Sequence, residues 1–280
     1  MEAEELRAEQ LERWARAAAG WARRAERLRE TSLPVSRWMV QRLELEPGQR
    51  VLELAAGPGD TGFLAARSIV PGTLISSDAS EAMLELARSR AREQGVENVE
   101  FAALQLEWID LPAASVDAVL CRWGLMLVVD PGAAASEMRR VLRPNGRLAV
   151  AVWDVAERNP WATIPGRALV ELGHADPPDP SRPGMFALAP EQRLRELLER
   201  AGFLDVALDG IELDRAYRTA EDYVAETVDL SAVFAEVWER LDERARAEVR
   251  ERIDALTAPY ANAGGSLRLP GRSLVAAASA

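Results

Sequence analysis

The sequence holds no lysine, one histidine and one cysteine, and each scarcity removes a class of chemistry. Without lysine there is no Tyr-x-x-x-Lys acid of the kind used in hydride transfer. Cys121 alone cannot close an internal disulfide, and with His174 as the sole imidazole no Cys/His cluster offers zinc-ligand spacing, so no metal is expected. No apolar run approaches the roughly 20 residues that span a bilayer, and Met1-Glu2-Ala3-Glu4-Glu5 is acidic where a secretory signal would be basic. These features predict a cytoplasmic chain with no membrane span. A concentrated positive charge is missing too. The net charge is −11, and the arginines alternate with glutamates, as in Glu239-Arg240-Leu241-Asp242-Glu243-Arg244, which describes solvated helix faces. A nucleic-acid partner needs a clustered basic face, so none is expected.

What remains is a chain of 280 residues, long enough to bury one full core with insertions. Helix formers with Leu11, Trp14, Ala18 and Trp21 on roughly one face predict a helix from Glu4 to about Arg29. Thr31-Ser32-Leu33-Pro34 should interrupt it, with a second helix over Val35–Leu43. Five strands are predicted next, at Arg50–Ala55, Thr73–Ser77, Val99–Ala103, Asp117–Cys121 and Arg147–Trp153, alternating with helices at Gly62–Ser68, Ser80–Gln94 and Pro131–Leu142. That alternation is the signature of a mainly parallel sheet covered on both faces. After Asp154 the density of Pro160, Pro165, Pro177, Pro178, Pro180 and Pro183 predicts a long irregular surface segment. A helix is then expected over Pro190–Ala201, a strand over Val206–Leu213, two or three helices between Glu221 and Ala261, and a last strand over Ser266–Ala277. The division predicted is an N-terminal helical cap over residues 1–46 and one domain over 47–280, with a substrate-side loop at about 156–188 and a helical insertion at about 219–262.

The most informative stretch is Val51-Leu52-Glu53-Leu54-Ala55-Ala56-Gly57-Pro58-Gly59-Asp60-Thr61-Gly62. A buried strand runs into a glycine-rich turn and then a helix, so a ligand can lie against backbone there. Asp78 closes the next strand about 20 residues later, where a carboxylate can accept both ribose hydroxyls. A nucleoside-containing cofactor is implied. Gly57, Gly59 and Gly62 also satisfy the G-x-G-x-x-G dinucleotide pattern, which keeps a nicotinamide-dependent oxidoreductase as an alternative. Glu53 and Pro58 argue against it. A carboxylate near the strand end repels a diphosphate, and proline removes an N–H from the loop that would cradle it.

Together with later segments, this stretch resembles the class I S-adenosylmethionine-dependent methyltransferases, in particular the type 11-like group related to the ubiquinone/menaquinone biosynthesis methyltransferases. The resemblance runs from about Arg50 to Asp154. It rests on Glu53–Gly59, on Asp78-Ala79-Ser80 with Met83-Leu84, on Phe101 with Gln105-Leu106-Glu107, on Asp117–Gly124, and on Met138–Leu148. It implies an α/β fold with a doubly wound, mainly parallel seven-stranded Rossmann-like sheet, N-terminal helices and helical lid insertions. It also implies S-adenosylmethionine as cofactor and S-adenosylhomocysteine as product. By the same resemblance Glu53 would meet the methionine ammonium, Asp78 the ribose, and Ala79, Met83, Gln105, Leu106 and Glu107 the adenine side. Ala55, Gly57, Gly59, Cys121 and Arg122 would line the rest of the cofactor site. Two departures stand out. Ala55 replaces the first glycine of the family's pattern, which a methyl tolerates if the backbone keeps a negative φ. Gln105 stands where an aspartate commonly accepts from adenine, and an amide accepts less strongly. A non-catalytic cofactor-binding relative therefore stays open.

Methyl transfer by in-line displacement needs orientation above all, worth roughly 7–11 kcal/mol, and a base only if the nucleophile starts protonated. His174 is the tempting base, but a lone loop histidine is more commonly solvated, and no catalytic residue is assigned. Cys121 reads as a small buried hydrophobe. Trp14, Trp21, Trp123, Met126 and Trp161 are candidates for binding a small, apolar or aromatic acceptor, and Trp108 for covering the cofactor. The first helix could also pair with a second copy to give a homodimer.

Overall fold

The computed structural model describes residues 3–179 and 182–280. Met1 and Glu2 of the acidic start, and Pro180 of the proline-dense stretch, lie outside the described residues. The first element corrects an expectation: a single 40-residue helix, α1 (Ala3–Arg42), runs straight through Pro34. Proline leaves the Glu30 carbonyl without its helical N–H and crowds that turn. Beyond it, however, Val35 and Met39 are fully buried in the main core, and packing of that face carries the helix past the breaker. Ala17, Gly20, Ala25 and Leu28 of the same helix are also buried, whereas Leu11 is exposed and Trp14, Ala18 and Trp21 are half-buried.

Strands and helices then alternate as β1 (Arg50–Leu54), α2 (Asp60–Ile69), β2 (Thr73–Asp78), α3 (Glu81–Gln94), β3 (Val99–Ala103), β4 (Val116–Arg122), α4 (Pro131–Val141) and β5 (Leu142–Trp153). Local signals explain the boundaries. Asp130 caps α4 by accepting the Ala133 N–H at 2.9 Å, with Pro131 just inside. Leu52, Leu54, Val119 and Leu120 are fully buried, as strands with helices on both faces require.

A second correction follows. Residues 160–171, read as part of an irregular substrate-side loop, form α5 (Pro160–Glu171). Pro160 occupies the first turn, where its missing N–H has no partner to lose, and Pro165 is absorbed inside the helix. The chain closes with α6 (Glu191–Arg200), β6 (Leu204–Tyr217), α7 (Ala220–Leu230), α8 (Ala232–Arg240), α9 (Glu243–Thr257) and β7 (Leu267–Ser279).

The seven strands form one sheet in the order β3-β2-β1-β4-β5-β7-β6, parallel except for β7. Strand order reverses between β1 and β4, and in such sheets ligands bind outside the carboxyl ends of the strands at that point. The β6/β7 pair is longer than the sequence pattern suggested. Trp153 at the end of β5 is opposite Ser273, which is opposite Ile211, yet pairing continues to Tyr217 opposite Leu267. This two-stranded ribbon therefore projects about 20 Å past the sheet edge. It carries α5 and α7–α9 on a second apolar cluster that includes Ile164, Tyr223, Trp238, Ile253 and Leu269. α1 joins them so closely that a Cβ added at Gly20 would land on the Asp229 carbonyl of α7.

Candidate functional site

The turn after β1 is built from left-handed residues: Ala55 (φ 50°), Gly57 (φ 52°) and Gly59 (φ 83°). The negative φ that would let a methyl sit at Ala55 without strain is thus not what the turn adopts. The methyl group accepts a conformation that costs a non-glycine residue roughly 1 kcal/mol, because the tight turn ties Gly59 N–H to the Ala56 carbonyl at 2.9 Å and Ala56 N–H to Ser77 at 2.9 Å.

Asp78, at the end of β2, fastens this turn. Its Oδ2 accepts the Gly57 N–H at 2.9 Å and its Oδ1 accepts the Ser80 N–H at 2.9 Å. Burial pushes its carboxyl above the usual aspartate value, against the pull of the Ser80, Gly57 and Ala79 backbone donors. Each oxygen keeps a lone pair for a further donor.

Glu53 is buried beneath the turn, where Oε1 accepts the Gly62 N–H at 2.7 Å and Oε2 the Ser76 hydroxyl at 3.2 Å. Burial raises its carboxyl to about 8, although the Gly62 N–H, the Arg122 charge and the Ser76 hydroxyl all oppose the shift. The Glu53 carboxyl thus occupies the Gly62 N–H at the start of α2, where a dinucleotide would need free N–H groups for its phosphates. A cationic ligand, by contrast, would favour ionisation of Glu53.

Arg122 ends β4 on the same side. Its Nε donates to Thr61 Oγ1 at 2.8 Å, and its guanidinium lies 4.5 Å from the centre of the Trp123 ring. Among the described residues no carboxylate pairs with it. Burial lowers its pKa, while Asp60 and Glu53 raise it. Cys121, one residue earlier, is fully buried and its thiol is pushed up to about 12 by burial, a state suited to packing rather than nucleophilic attack.

The adenine-side candidates spread along the β2 and β3 ends. Met83 is buried in the first turn of α3, Ala79 and Gln105 are exposed, and Leu106 is buried. Glu107 is engaged within the chain. Its Oε1 accepts Arg7 Nη2 at 2.7 Å and the Asp130 N–H at 2.9 Å, and its Oε2 accepts Arg7 Nε at 3.1 Å. It thereby ties the start of α1 across this end of the sheet. Trp108 beside it is 76% exposed, an open ring face at the rim.

α1 also brings Trp21 to within 4.0 Å of where a Gly57 side chain would begin, with Trp14 edge-on to it at 5.5 Å. Trp21 thus faces the glycine turn, and Trp14 packs behind it. The other three belong to the opposite wall. Trp123 stacks on Trp153 at 4.2 Å and donates to Ser273, Trp161 meets Trp153 edge-on at 4.9 Å, and buried Met126 accepts the Trp153 N–H on sulfur at 3.4 Å. His174 lies past the end of α5, where its backbone N–H bonds the Leu169 carbonyl at 2.8 Å. Sequence reasoning missed a charged group on the inner face of the ribbon, Arg215 with Glu226, Tyr217 and Arg27. Its members come from three distant elements, and no local pattern joins them.

Residues 45–177 match the model of a family described as a methyltransferase domain. That stretch holds β1 to β5 and the glycine turn. Among curated proteins, a ubiquinone/menaquinone biosynthesis C-methyltransferase, UbiE, of Hahella chejuensis is 34% identical over 116 residues, 41% of this chain and 47% of that protein. The chain thus matches about half the length of that relative. Among solved structures, the YcgJ protein of Bacillus subtilis superposes with a TM-score of 0.58 at 19% identity, over 87% of this chain and 97% of that one. The phosphoethanolamine N-methyltransferase 2 of Haemonchus contortus, solved with S-adenosyl-L-methionine, superposes with a TM-score of 0.55 at 16% identity, over 88% of this chain and 52% of that one. At such identities the likeness is one of fold. Among the described residues no helix is long and apolar enough to cross a membrane, and no His/Cys/Asp/Glu group could hold a metal ion.

Proposed function

We propose that this chain transfers a methyl group from S-adenosylmethionine to a small-molecule acceptor, apolar or aromatic in its body. The observation that carries the proposal is the pairing of Glu53 with the Gly62 N–H beneath a turn fastened by Asp78. That arrangement suits a cationic nucleoside and opposes a diphosphate, which disfavours a nicotinamide-dependent oxidoreductase.

The residues present fit the cofactor. Asp78 has lone pairs for the ribose hydroxyls, Gly57 and Gly59 leave the turn free of side chains, and Ala79, Met83, Gln105 and Leu106 border the adenine end. Glu53, ionised as a cation approaches, supplies the negative charge that an ammonium seeks, directly or through water. When bound, S-adenosylmethionine supplies a methyl group already activated on a sulfonium. The protein's share is then to bind, orient and exclude water. α1, held down by Arg7 and Glu107, covers the turn with Trp21 and Trp14, while the ribbon with α5 and α7–α9 closes the far side. No side chain is assigned as a base, in keeping with an in-line displacement on an acceptor that needs none. One buried cysteine fits a reducing compartment, the cytoplasm.

Incubation with methyl-labelled S-adenosylmethionine and a panel of phenols, quinones and amines tests the proposal. Label transfer to at least one small molecule is expected, lost in Asp78→Ala. A protein that binds the cofactor yet methylates nothing in the panel or in a small-molecule extract would instead be a non-catalytic relative.

A further inference from the structure

The inner face of the ribbon carries a cation where an apolar residue would serve packing as well. Leu213, Arg215 and Tyr217 point inward in alternation, opposite Gly271, Leu269 and Leu267. The Arg215 side chain is 5% exposed. Its Nε donates to Tyr217 Oη at 3.2 Å, its Nη2 to Glu226 Oε1 at 2.9 Å, and the guanidinium packs 4.0 Å from the centre of the Trp161 ring. The bonds to Tyr217 and Glu226 use Nε and Nη2 and leave Nη1 out. Glu226 also pairs with Arg27 of α1. Two guanidinium groups thus share one carboxylate, and the group keeps one excess positive charge. A buried ion pair of this kind seldom stabilises a fold more than apolar residues of the same volume.

Its position gives the charge a use. Along α1, Arg27 is six residues beyond Trp21, which faces Gly57, and nine before Ser36, whose hydroxyl bonds Thr61 beside Arg122 at 2.8 Å. At 1.5 Å per residue these intervals are about 9 and about 13 Å. Along α1 the charged group thus lies between the point that faces the glycine turn and the point that reaches Thr61 beside Arg122. Trp161, Trp153 and Trp123 form a continuous aromatic wall from Arg215 down to Arg122.

We infer that Arg215 is the receptor for a carboxylate on the methyl acceptor, which lies along the indole wall with its reacting atom at the cofactor edge. The inference rests on the methyl-transfer reading above. One excess charge and an Nη1 edge left out of those bonds, between an indole and two phenols, match a planar monoanion. A phosphate dianion would bring more charge than the group can neutralise.

The test uses the full chain saturated with S-adenosylhomocysteine and compares 4-fluorobenzoate with 4-fluorobenzamide by fluorine NMR, a pair that differs in charge and little in shape. The carboxylate should bind at least ten-fold more tightly. In the double variant Arg215→Met/Glu226→Gln, which leaves neither charge buried alone, that preference should vanish, with the melting temperature and S-adenosylhomocysteine affinity close to wild type. Equal binding of the two probes by the wild type overturns the inference. So does a preference that survives in the double variant, or one that disappears in Arg122→Gln while the double variant keeps it; either result would make Arg215 a structural tie between β6 and α7. Failure of S-adenosylhomocysteine to bind appears at the loading step, before any probe is added, and counts against the methyl-transfer reading instead.

Discussion

The Trp161 carbonyl accepts the Tyr223 hydroxyl at 2.5 Å, and the reason lies four residues after the tryptophan. Pro165 has no N–H to give that carbonyl, so α5 would hold an orphaned acceptor if α7 did not supply Tyr223. The bond fastens the lid to the helix that presents Trp161 to Arg215. Tyr223→Phe should cost about 1–3 kcal/mol, the usual penalty for stranding a buried acceptor. Pro165→Ala should recover part of that loss by restoring the helical N–H. Urea unfolding of the two single variants and the double variant checks this, and strictly additive effects would deny the coupling.

Glu53 makes a prediction about pH. Its carboxyl is raised to about 8 in the folded chain, so the folded state holds a proton that the unfolded chain releases near the ordinary glutamate value. The associated stability is fully present below that ordinary value and is lost as pH rises through about 8. Between those limits the slope for one proton is about 1.4 kcal/mol per pH unit. Glu53→Gln keeps an oxygen for the Gly62 N–H and removes the titration. Denaturant midpoints at pH 6 and pH 9 should therefore differ less in the variant than in the wild type. Equal differences would mean that Glu53 is ionised throughout.

Ala55 and Gly124 should behave as a pair. A Cβ at Gly124 would strike the Ala55 methyl and would lie 3.1 Å from Cys121 Sγ. Gly124→Ala is therefore expected to destabilise by roughly 1–3 kcal/mol through overpacking. Ala55→Gly alone should change stability by less than about 1 kcal/mol, since relief of the left-handed strain offsets the added chain entropy. Combined, the two changes should cost less than Gly124→Ala alone, and thermal unfolding of the set decides.

The sheet was legible because its strands are short apolar runs set between helices of clear period, and β3 has the predicted bounds, Val99–Ala103. The glycine turn and Asp78 were legible because that chemistry is local in sequence. Prolines misled in two places: Pro34 and Pro165 lie inside helices whose packing outweighs one lost hydrogen bond. Ala55 could not be placed in the left-handed region from its own identity, since the turn's hydrogen bonds impose it. The end of β6 beyond Leu213 is not legible because Arg215 interrupts the apolar alternation that would carry the strand to Tyr217, and its partners Glu226 and Arg27 stand 11 and 188 residues away in the chain. Glu107 likewise showed nothing of its bond to Arg7 until α1 was laid across the sheet.

The turn after β1 should take a cationic nucleoside and reject a diphosphate. Titration calorimetry with S-adenosylhomocysteine, NAD and NADP measures this most directly, with Glu53→Lys alongside. One-to-one binding of S-adenosylhomocysteine, no binding of either dinucleotide, and loss of the former in Glu53→Lys are expected. Tight binding of a dinucleotide with no response to S-adenosylhomocysteine would contradict the account.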